Sequence, residues 1–278
     1  MPTATVNGVR IQYDLNGSGD EVTAFLNGIA MSISHWKPVT EHLAGQFRCL
    51  CHDFRGQLMS PQSGNPGSSI RLEDHVEDLR ALLEHLGVRR VHLVGTSYGA
   101  EVGLLFAATW PGYAASLVVI DGVSELDPLL SATAEAWRAA ALCDPVVFYR
   151  SIIPWNYSSA WLAQNRDRLR SREAAISALP RGYFEDFAAL CDAFLALDLT
   201  PKLAGIRCPT LVLVAEKDIL KHEGFARIIH RGIPGSRLDV IPGAGHAVVI
   251  ERPEEVLRRL QGFLATIGAG REAGSRPA

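Results

Sequence analysis

The sequence has almost no excess charge and no long hydrophobic run. Its 278 residues include 27 Lys and Arg and 30 Asp and Glu, which gives a net charge of −3. Such a chain has no general attraction to nucleic acid or anionic lipid. No apolar run approaches the roughly 20 residues of a membrane-spanning helix, and the first residues, MPTATVNGVRIQYDLNG, lack the basic and apolar segments of a secretory signal. We therefore expect a cytoplasmic protein that binds neither nucleic acid nor a membrane.

Cysteine is also scarce, and its spacing is not that of a metal site. The five cysteines are Cys49, Cys51, Cys143, Cys191 and Cys208. Cys49 and Cys51 share one face of a predicted strand, whereas zinc and redox pairs are usually separated by two or more residues. We expect ordinary buried thiols and no metal site.

What the sequence does contain is an abrupt change of pattern at residues 91–108, VHLVGTSYGAEVGLLFAA. A short apolar run typical of a buried parallel strand ends at Gly95, and helical spacing begins after Gly99. So tight a turn strains the residue at its apex, Ser97, and leaves no room for side chains two positions on either side. This GxSxG pattern predicts a nucleophile elbow, with the Ser97 hydroxyl exposed at the end of the strand. A glycine-rich turn without catalytic function is the alternative.

Strands and helices alternate through most of the chain, which predicts an α/β fold with a mostly parallel sheet and helices on both faces. The predicted strands are 9–13, 23–26, 47–53, 91–94, 116–121, 210–215 and 237–241, and the first should open an antiparallel hairpin at LNGSGD. The predicted helices include 36–44, 72–86, 223–231 and 253–267. We assign residues 1–121 and 201–267 to the core, the strand-free 122–200 to an inserted helical cap, and 268–278 to a disordered tail.

A serine nucleophile needs a histidine base and a carboxylate that orients it. Asp218 follows the strand TLVLVA, and His246 lies in the glycine-rich turn after the next strand. Both would therefore lie at the carboxyl edge of the sheet, and the order Ser97, Asp218, His246 is that of elbow hydrolases. Asp218 as a helix cap and His246 as a surface residue are the alternatives. Asp121, at the end of SLVVID, is the rival carboxylate.

Two further groups complete the predicted site. The backbone amides of Ile29 and Tyr98 should form an oxyanion hole, because one follows the turn at Gly28 and the other follows the nucleophile. Aromatic residues of the cap should form an apolar substrate pocket around PWNYS, residues 154–158, which we predict to be a loop. The predicted pocket residues are Trp137, Phe148, Tyr149, Trp155 and Tyr157.

These motifs together resemble the α/β-hydrolase superfamily. The resemblance covers nearly the whole chain through FLNGIAMSISHW, HDFRGQLMS, VGTSYG, LVLVAEKD and GAGHAVVIERPEEV. Within the superfamily the chain is most similar to the 3-oxoadipate enol-lactonases and small carboxylesterases. It departs from the usual motifs at Asn27, where histidine is common, and at Leu58, where the loop motif has a glycine. The NG turn and GAGH motif are also similar to those of hydroxyacyl carrier-protein transacylases and the synthase of rhamnolipid precursors.

The sequence therefore predicts a serine hydrolase that cleaves a small-molecule ester, thioester or lactone through an acyl-enzyme, without a metal or organic cofactor. Transfer of the acyl group to an alcohol or thiol is the first alternative, because it uses the same acyl-enzyme. A ligand-binding protein that has lost the chemistry is the second. A monomer and a homo-oligomer are both compatible with the sequence.

Overall fold

A computed structural model describes residues 1–61 and 67–274 and contains one eight-stranded sheet in the order β1-β2-β4-β3-β5-β6-β7-β8. The strands are β1 (Thr3–Val6), β2 (Val9–Asn16), β3 (Glu21–Leu26), β4 (Phe47–His52), β5 (Val91–Thr96), β6 (Ala114–Ile120), β7 (Thr210–Ala215) and β8 (Arg237–Ile241). The helices are α1 (Lys37–Leu43), α2 (Leu72–His85), α3 (Tyr98–Thr109), α4 (Pro128–Cys143), α5 (Pro145–Asn156), α6 (Ser159–Gln164), α7 (Arg166–Ser177), α8 (Arg181–Leu195), α9 (Glu223–Gly232), α10 (Val248–Glu251) and α11 (Pro253–Gly274). Short 3-10 turns cover Ile33–Trp36 and Thr200–Gly205.

Helices cover both faces of the sheet, as the sequence predicts. Leu93 of β5 packs in the same apolar cluster as Leu79 of α2 and Phe106 of α3. Its neighbour Val94 packs on the opposite face, in a cluster that includes Leu260 of α11. Because successive strand residues point to opposite faces, two buried faces require the continuous apolar runs seen in the central strands. Each fully buried aliphatic side chain contributes about 1.5–3 kcal/mol, so these strands form a rigid base for the loops at their carboxyl ends.

The amino-terminal hairpin differs from the prediction. Strands β3 to β8 run parallel, while β1 and β2 are antiparallel additions at one edge. The hairpin turn is Asn7-Gly8, with φ values of 47° and 77°, and it joins β1 to β2. The segment LNGSGD instead connects β2 to β3, which does not pair with β2. An Asn-Gly pair suits a two-residue hairpin with positive φ at both positions. Because β1 has only four residues, its strand pattern is too short to be recognised in the sequence.

Between β6 and β7 the chain forms the five helices α4 to α8 and no described strand. Aromatic contacts join them, with the Phe148 ring 4.6 Å from Phe187 and 5.7 Å from Phe184. The loop predicted at PWNYS is wrong for residues 154–156, because α5 continues through Pro154 to Asn156, and only Tyr157 and Ser158 lie between α5 and α6. A proline in the last turn of a helix removes only one hydrogen bond, and the packed helix tolerates it.

The carboxyl-terminal helix α11 also continues past its predicted end, to Gly274. It thus covers residues 268–274 of the predicted tail, and residues 275–278 lie outside the described part. Among the helices of the described residues, none has the length and apolar character needed to cross a bilayer.

Candidate active site

Ser97 lies at the apex of the turn between β5 and α3, with φ 51° and ψ −122°. Few residues other than glycine adopt a positive φ, and such strain persists only where the surrounding structure imposes it. A Cβ atom on Gly95 would lie 2.2 Å from the carbonyl oxygen of Gly99, and one on Gly99 would lie 2.2 Å from that of Leu26. Backbone therefore fills both sides of the turn, so that only glycine fits at these two positions.

The structure brings the three predicted catalytic side chains together. The Ser97 Oγ is 2.8 Å from the His246 Nε2, and the His246 Nδ1 is 2.7 Å from the Asp218 Oδ2. Asp218 and His246 are buried, whereas Ser97 is half-buried and lines a cavity. The imidazole therefore has one nitrogen on a carboxylate and the other on the hydroxyl, the arrangement in which a histidine takes a proton from serine.

The loop after β7 holds Asp218 as an ionised acceptor. Its Oδ1 accepts hydrogen bonds of 2.8 Å from the backbone amides of Leu220 and Lys221. Burial alone would raise the pKa of Asp218, but the charge and hydrogen bond of His246, together with the two amides, lower it below its ordinary value. Asp218 thus carries the negative charge that faces the imidazole.

Asp121, the rival carboxylate, lies close by in a different electrostatic state. Its Oδ1 accepts a 2.7 Å hydrogen bond from the Ala215 amide, and its buried Oδ2 has no partner among the described residues. Burial raises the pKa of Asp121 well above its ordinary range, and the negative charge of Asp218 raises it further. Two buried carboxylates this close cannot both ionise cheaply, so Asp121 is the neutral member of the pair.

The same three groups are the residues that could hold a metal ion. Ligand atoms of Asp121, Asp218 and His246 lie within 4.8 Å of one another. Two ligands about 2.0–2.1 Å from a tetrahedral ion would be about 3.3 Å apart, whereas the His246 Nδ1 and Asp218 Oδ2 are 2.7 Å apart. That separation is a hydrogen bond, so the cluster fits the orientation of a histidine better than the binding of a metal.

A buried polar network surrounds Asn27, the first departure from the usual motif. The Asn27 Nδ2 lies 3.0 Å from the Asp53 Oδ1 and 3.3 Å from the Gln57 Oε1, and the Trp36 indole N–H donates to its Oδ1 at 3.0 Å. Burial raises the pKa of Asp53 to about 6, although hydrogen bonds from two backbone amides and from Asn27 act to lower it. Asn27 therefore supplies both a donor and an acceptor inside the protein.

Gln57 connects this network to the predicted oxyanion loop. Its Nε2 donates to the carbonyl oxygens of Gly28 at 2.9 Å and Ile29 at 3.1 Å. The Gly28 carbonyl and the Ile29 amide lie in the same peptide plane, so fixing that carbonyl fixes the direction of the Ile29 N–H, which has no acceptor among the described residues. The next residue, Leu58, has a φ of 22°, so the position keeps the backbone conformation that a glycine would adopt without strain. Gln57 is thus a positioning residue that the sequence reasoning missed.

We expect Gln57→Glu to lower kcat by about 10- to 100-fold, since small displacements of a catalytic group have effects of this size. The substitution replaces the two donated hydrogen bonds by an oxygen that faces two carbonyl oxygens. Steady-state kinetics on a neutral ester provide the measurement, with the exposed Gln46→Glu as the matched control. An unchanged kcat in folded Gln57→Glu protein would contradict a positioning role.

Tyr98, whose amide is the second predicted oxyanion donor, is held by its side chain. The hydroxyl lies 2.9 Å from the Nε2 of His75, a fully buried residue of α2. Burial lowers the pKa of His75 to about 3, with a smaller contribution from the charge of Arg55, so the imidazole is neutral. As the first residue of α3, Tyr98 has an amide without an acceptor in its own helix. That amide is therefore available to a substrate oxygen beside Ser97.

Two cavities meet at Ser97. The main cavity encloses about 850 Å³, including the part open to solvent, and is lined by residues of α4, α5, α7 and α8 as well as by Ser97 and His246. The side cavity encloses about 360 Å³ and is lined by apolar residues of α4 and α8, by Ser97 and Tyr98, and by Lys221. Ile29 lines both. A substrate carbonyl at Ser97 would thus have separate spaces for its two substituents.

Four of the five predicted pocket residues line the main cavity: Trp137, Phe148, Tyr149 and Tyr157. The prediction of Trp155 is wrong, because that side chain packs against the hydrophobic core and lines neither cavity. The residues of α5 that line the cavity are Phe148, Tyr149, Ile152, Ile153 and Asn156, at the spacing of one helix face. Trp155, two turns after Phe148, lies at the edge of this face.

A buried ion pair beside the side cavity was also missed. The Lys221 ammonium lies 2.9 Å from the Glu101 Oε2, and both side chains are at most 4% exposed. The other carboxylate oxygen of Glu101 accepts from the Val123 amide at 2.8 Å. Burial raises the pKa of Glu101, while the charge of Lys221 opposes that rise. The signal in the sequence is a lone glutamate within the apolar helix YGAEVGLLFAA, because such a charge requires a partner.

Comparisons with known proteins point in the same direction. A protein named "Putative carbamate hydrolase RutD" from Caulobacter sp. (strain K31) is 29% identical over 270 residues, which cover 95% of this chain and 98% of the relative. The solved structure of MGS-M2, an alpha/beta hydrolase enzyme from a Medee basin deep-sea metagenome library, superposes with a TM-score of 0.89 at 28% identity and covers 95% of this chain and 97% of its own. The enol-lactonase from Burkholderia xenovorans LB400 has a TM-score of 0.84 at 22% identity, with coverage of 95% and 100%, and shows the shared fold.

The predicted superfamily is confirmed by a direct match to the family as a whole. The sequence fits the profile of the Alpha/beta hydrolase family over residues 24–259, which include the elbow and the two loops that carry Asp218 and His246. The sheet order and the helices on both faces agree with this assignment. The chain therefore belongs to the alpha/beta hydrolase family and is a hydrolase.

Proposed function

We propose that the protein is a serine hydrolase that cleaves a carboxylic ester or lactone through an acyl-enzyme on Ser97. The observation that supports this most directly is the chain of two hydrogen bonds, 2.8 Å from Ser97 to His246 and 2.7 Å from His246 to Asp218. It connects a strained, accessible hydroxyl to a base, and the base to an ionised carboxylate.

In the proposed mechanism the Ser97 oxygen attacks the carbonyl carbon while its proton passes to the His246 Nε2. Asp218 stabilises the imidazolium through the Nδ1 hydrogen bond. The tetrahedral intermediate collapses by breaking the bond to the alcohol oxygen, which takes the proton from His246. Water then attacks the acyl-enzyme, gives its proton to the same nitrogen, and releases the carboxylic acid and free Ser97. No step requires a metal or an organic cofactor.

The amides of Ile29 and Tyr98 would stabilise the oxyanion in both steps. Both residues line the side cavity beside Ser97, and removal of one such donor commonly costs about 10²- to 10³-fold in kcat. Residues 122–200 would serve as the cap, since α4, α5, α7 and α8 together with Tyr157 supply about half of the residues that line the main cavity. Acyl and alcohol groups would occupy the two cavities that meet at the nucleophile.

A carbamate is the second candidate substrate class. It is favoured by the printed name of relatives that cover nearly the whole chain, such as the one from Caulobacter sp. (strain K31) at 29% identity. The same attack on a carbamate carbonyl would give a carbamoyl-enzyme, and the same water would release it. The catalytic residues would be shared, so the substrate panel has to separate the two classes.

The test is a panel of p-nitrophenyl esters of graded chain length, lactones and alkyl carbamates, combined with a fluorophosphonate probe. We expect the probe to label Ser97 and ester or lactone turnover to exceed carbamate turnover. Turnover of carbamates alone would change the substrate class, and a folded protein that neither reacts with the probe nor cleaves any substrate would support the ligand-binding alternative. Adding an alcohol in excess identifies acyl transfer if the new ester replaces the acid as the main product.

A further inference from the structure

The main cavity contains a guanidinium that the proposed chemistry does not use. Arg172 of α7 lines this cavity together with Ser97 and His246. Apart from Arg172 and His246, the lining side chains are apolar or uncharged, and many are aliphatic or aromatic. Arg172 is half-buried, so its charge is only partly hydrated and would gain from an anion in the cavity.

Arg172 has no carboxylate partner among the described residues, although its neighbours do. Arg150 pairs with Glu173 at 2.8 Å, and Arg170 lies 3.7 Å from Asp167. The groups that the Arg172 guanidinium meets are uncharged: the His35 Nε2 at 3.0 Å and the Tyr157 hydroxyl at 3.5 Å. A guanidinium has five N–H donors, so further donors are available to a ligand.

His35 does not neutralise or share this charge. Burial lowers the pKa of His35 to about 4, and the charge of Arg172 lowers it as well. The imidazole is therefore neutral near pH 7. A guanidinium can only donate, so the His35 Nε2, 3.0 Å from Arg172, accepts. The proton of the neutral ring therefore lies on Nδ1, which is 3.2 Å from the Ser32 carbonyl oxygen and 3.1 Å from the Ser32 Oγ. His35 acts as a neutral support that orients the guanidinium.

Tyrosine side chains surround the same point. Tyr149, Tyr157 and Tyr183 all line the main cavity, and the positive charge of Arg172 acts on each of them. The proton of the Tyr149 hydroxyl is already donated to the Leu169 carbonyl oxygen at 3.1 Å. A guanidinium beside the Tyr157 hydroxyl, in a largely apolar space, suits the two oxygens of a carboxylate.

The side cavity offers no equivalent site. Its cation, Lys221, is already neutralised by Glu101 at 2.9 Å and lies over the Phe194 ring at 4.6 Å. An anion placed there would compete with a buried carboxylate. The two cavities that meet at Ser97 therefore differ in charge, one with an uncompensated cation and one without.

We propose that Arg172 binds a carboxylate of the substrate, so that the enzyme prefers esters or lactones that carry a negative group in the main cavity. The inference rests on the proposed function, since it concerns which substrate the same nucleophile receives. It makes Arg172 a specificity-determining residue that does not take part in the bond-making steps.

The experiment compares substrates that differ only in charge. For the acyl half, the p-nitrophenyl monoesters of adipate, pimelate and suberate are paired with p-nitrophenyl hexanoate, heptanoate and octanoate. For the alcohol half, p-carboxyphenyl butanoate is paired with p-carbamoylphenyl butanoate. The enzymes are the full-length wild type, Arg172→Gln, Arg172→Lys and the control Arg170→Gln, whose side chain on the same helix is 82% exposed.

In at least one half, we expect the wild type to have the higher kcat/KM for the anionic substrate. Arg172→Gln should lower that kcat/KM by about 10- to 100-fold, as expected for the loss of a charge-assisted hydrogen bond, mainly through KM, and leave the neutral partner within about twofold. Arg172→Lys should recover part of the preference, and Arg170→Gln should match the wild type.

The inference is overturned if the wild type cleaves neutral esters without an Arg172-dependent preference in either half. It is equally overturned if Arg172→Gln lowers the neutral and anionic rates together. A failure of the proposed function is distinguishable, because Ser97 would then not react with the fluorophosphonate probe and the neutral esters would also be left intact.

Discussion

Ser97→Ala is expected to lower kcat/KM on a p-nitrophenyl ester by about 10⁴- to 10⁶-fold, the range seen when a serine nucleophile is removed from a triad. In the proposed mechanism the hydroxyl oxygen is the atom that becomes acylated, and no other described side chain lies at the 2.8 Å position beside the His246 Nε2. The same variant should lose all labelling by a fluorophosphonate probe. The measurements are burst-phase kinetics and mass spectrometry of the labelled protein.

The variant should remain folded, because alanine keeps the Cβ atom and gives up a single side-chain hydrogen bond. Its φ of 51° remains strained, so thermal stability should stay close to that of the wild type. Ser124→Ala is the matched control: Ser124 is a buried serine after β6, and its hydroxyl lies 2.8 Å from the Thr200 hydroxyl. If folded Ser97→Ala cleaved the ester as fast as Ser124→Ala does, the acyl-enzyme would form on another residue or would not form at all.

The elbow and the order of the triad could be predicted because local sterics determine them. Gly95 and Gly99 are required by backbone atoms that lie 2.2 Å from where a Cβ would be, and that requirement is visible as a pattern in the sequence. Parallel strands place their carboxyl ends at one edge, so residues as far apart as Ser97 and His246 could be predicted to lie together. The fold class could be predicted for a similar reason, because the alternation of strand and helix patterns is visible in the sequence.

The features that were missed depend on contacts between distant segments. Gln57 holds the carbonyls of Gly28 and Ile29 through the fold of two loops, and nothing local distinguishes it from a surface glutamine. The position of Arg172 is set by the packing of α5 and α7, which the sequence does not specify. PWNYS was predicted as a loop, whereas α5 continues through Pro154, because packing against neighbouring helices offsets the hydrogen bond that a proline removes.

The second large effect is expected from Asp218→Asn, which should lower kcat by about 10³- to 10⁴-fold, as when a triad carboxylate becomes an amide. The present Asp218 Oδ2 accepts from the His246 Nδ1 at 2.7 Å, while Oδ1 accepts from the amides of Leu220 and Lys221. These two amides require an acceptor, so the new NH₂ would face the imidazole. The Nδ1 would then accept, the proton would move to Nε2, and the imidazole could no longer take the Ser97 proton.

Asp121→Asn is the matched control, and its contrast with Asp218→Asn decides which carboxylate orients the base. Burial and the charge of Asp218 keep the pKa of Asp121 well above its ordinary value, so an amide reproduces the neutral side chain in both size and charge. In the wild type the backbone N–H of Ala215 donates to the Asp121 Oδ1 at 2.7 Å. The side-chain oxygen of the new asparagine can accept the same hydrogen bond. We expect Asp121→Asn to retain kcat within about tenfold. If Asp121→Asn lowered kcat more than Asp218→Asn did, the orienting role would belong to Asp121. The reason is that only replacement of the ionised carboxylate changes the charge beside the imidazole.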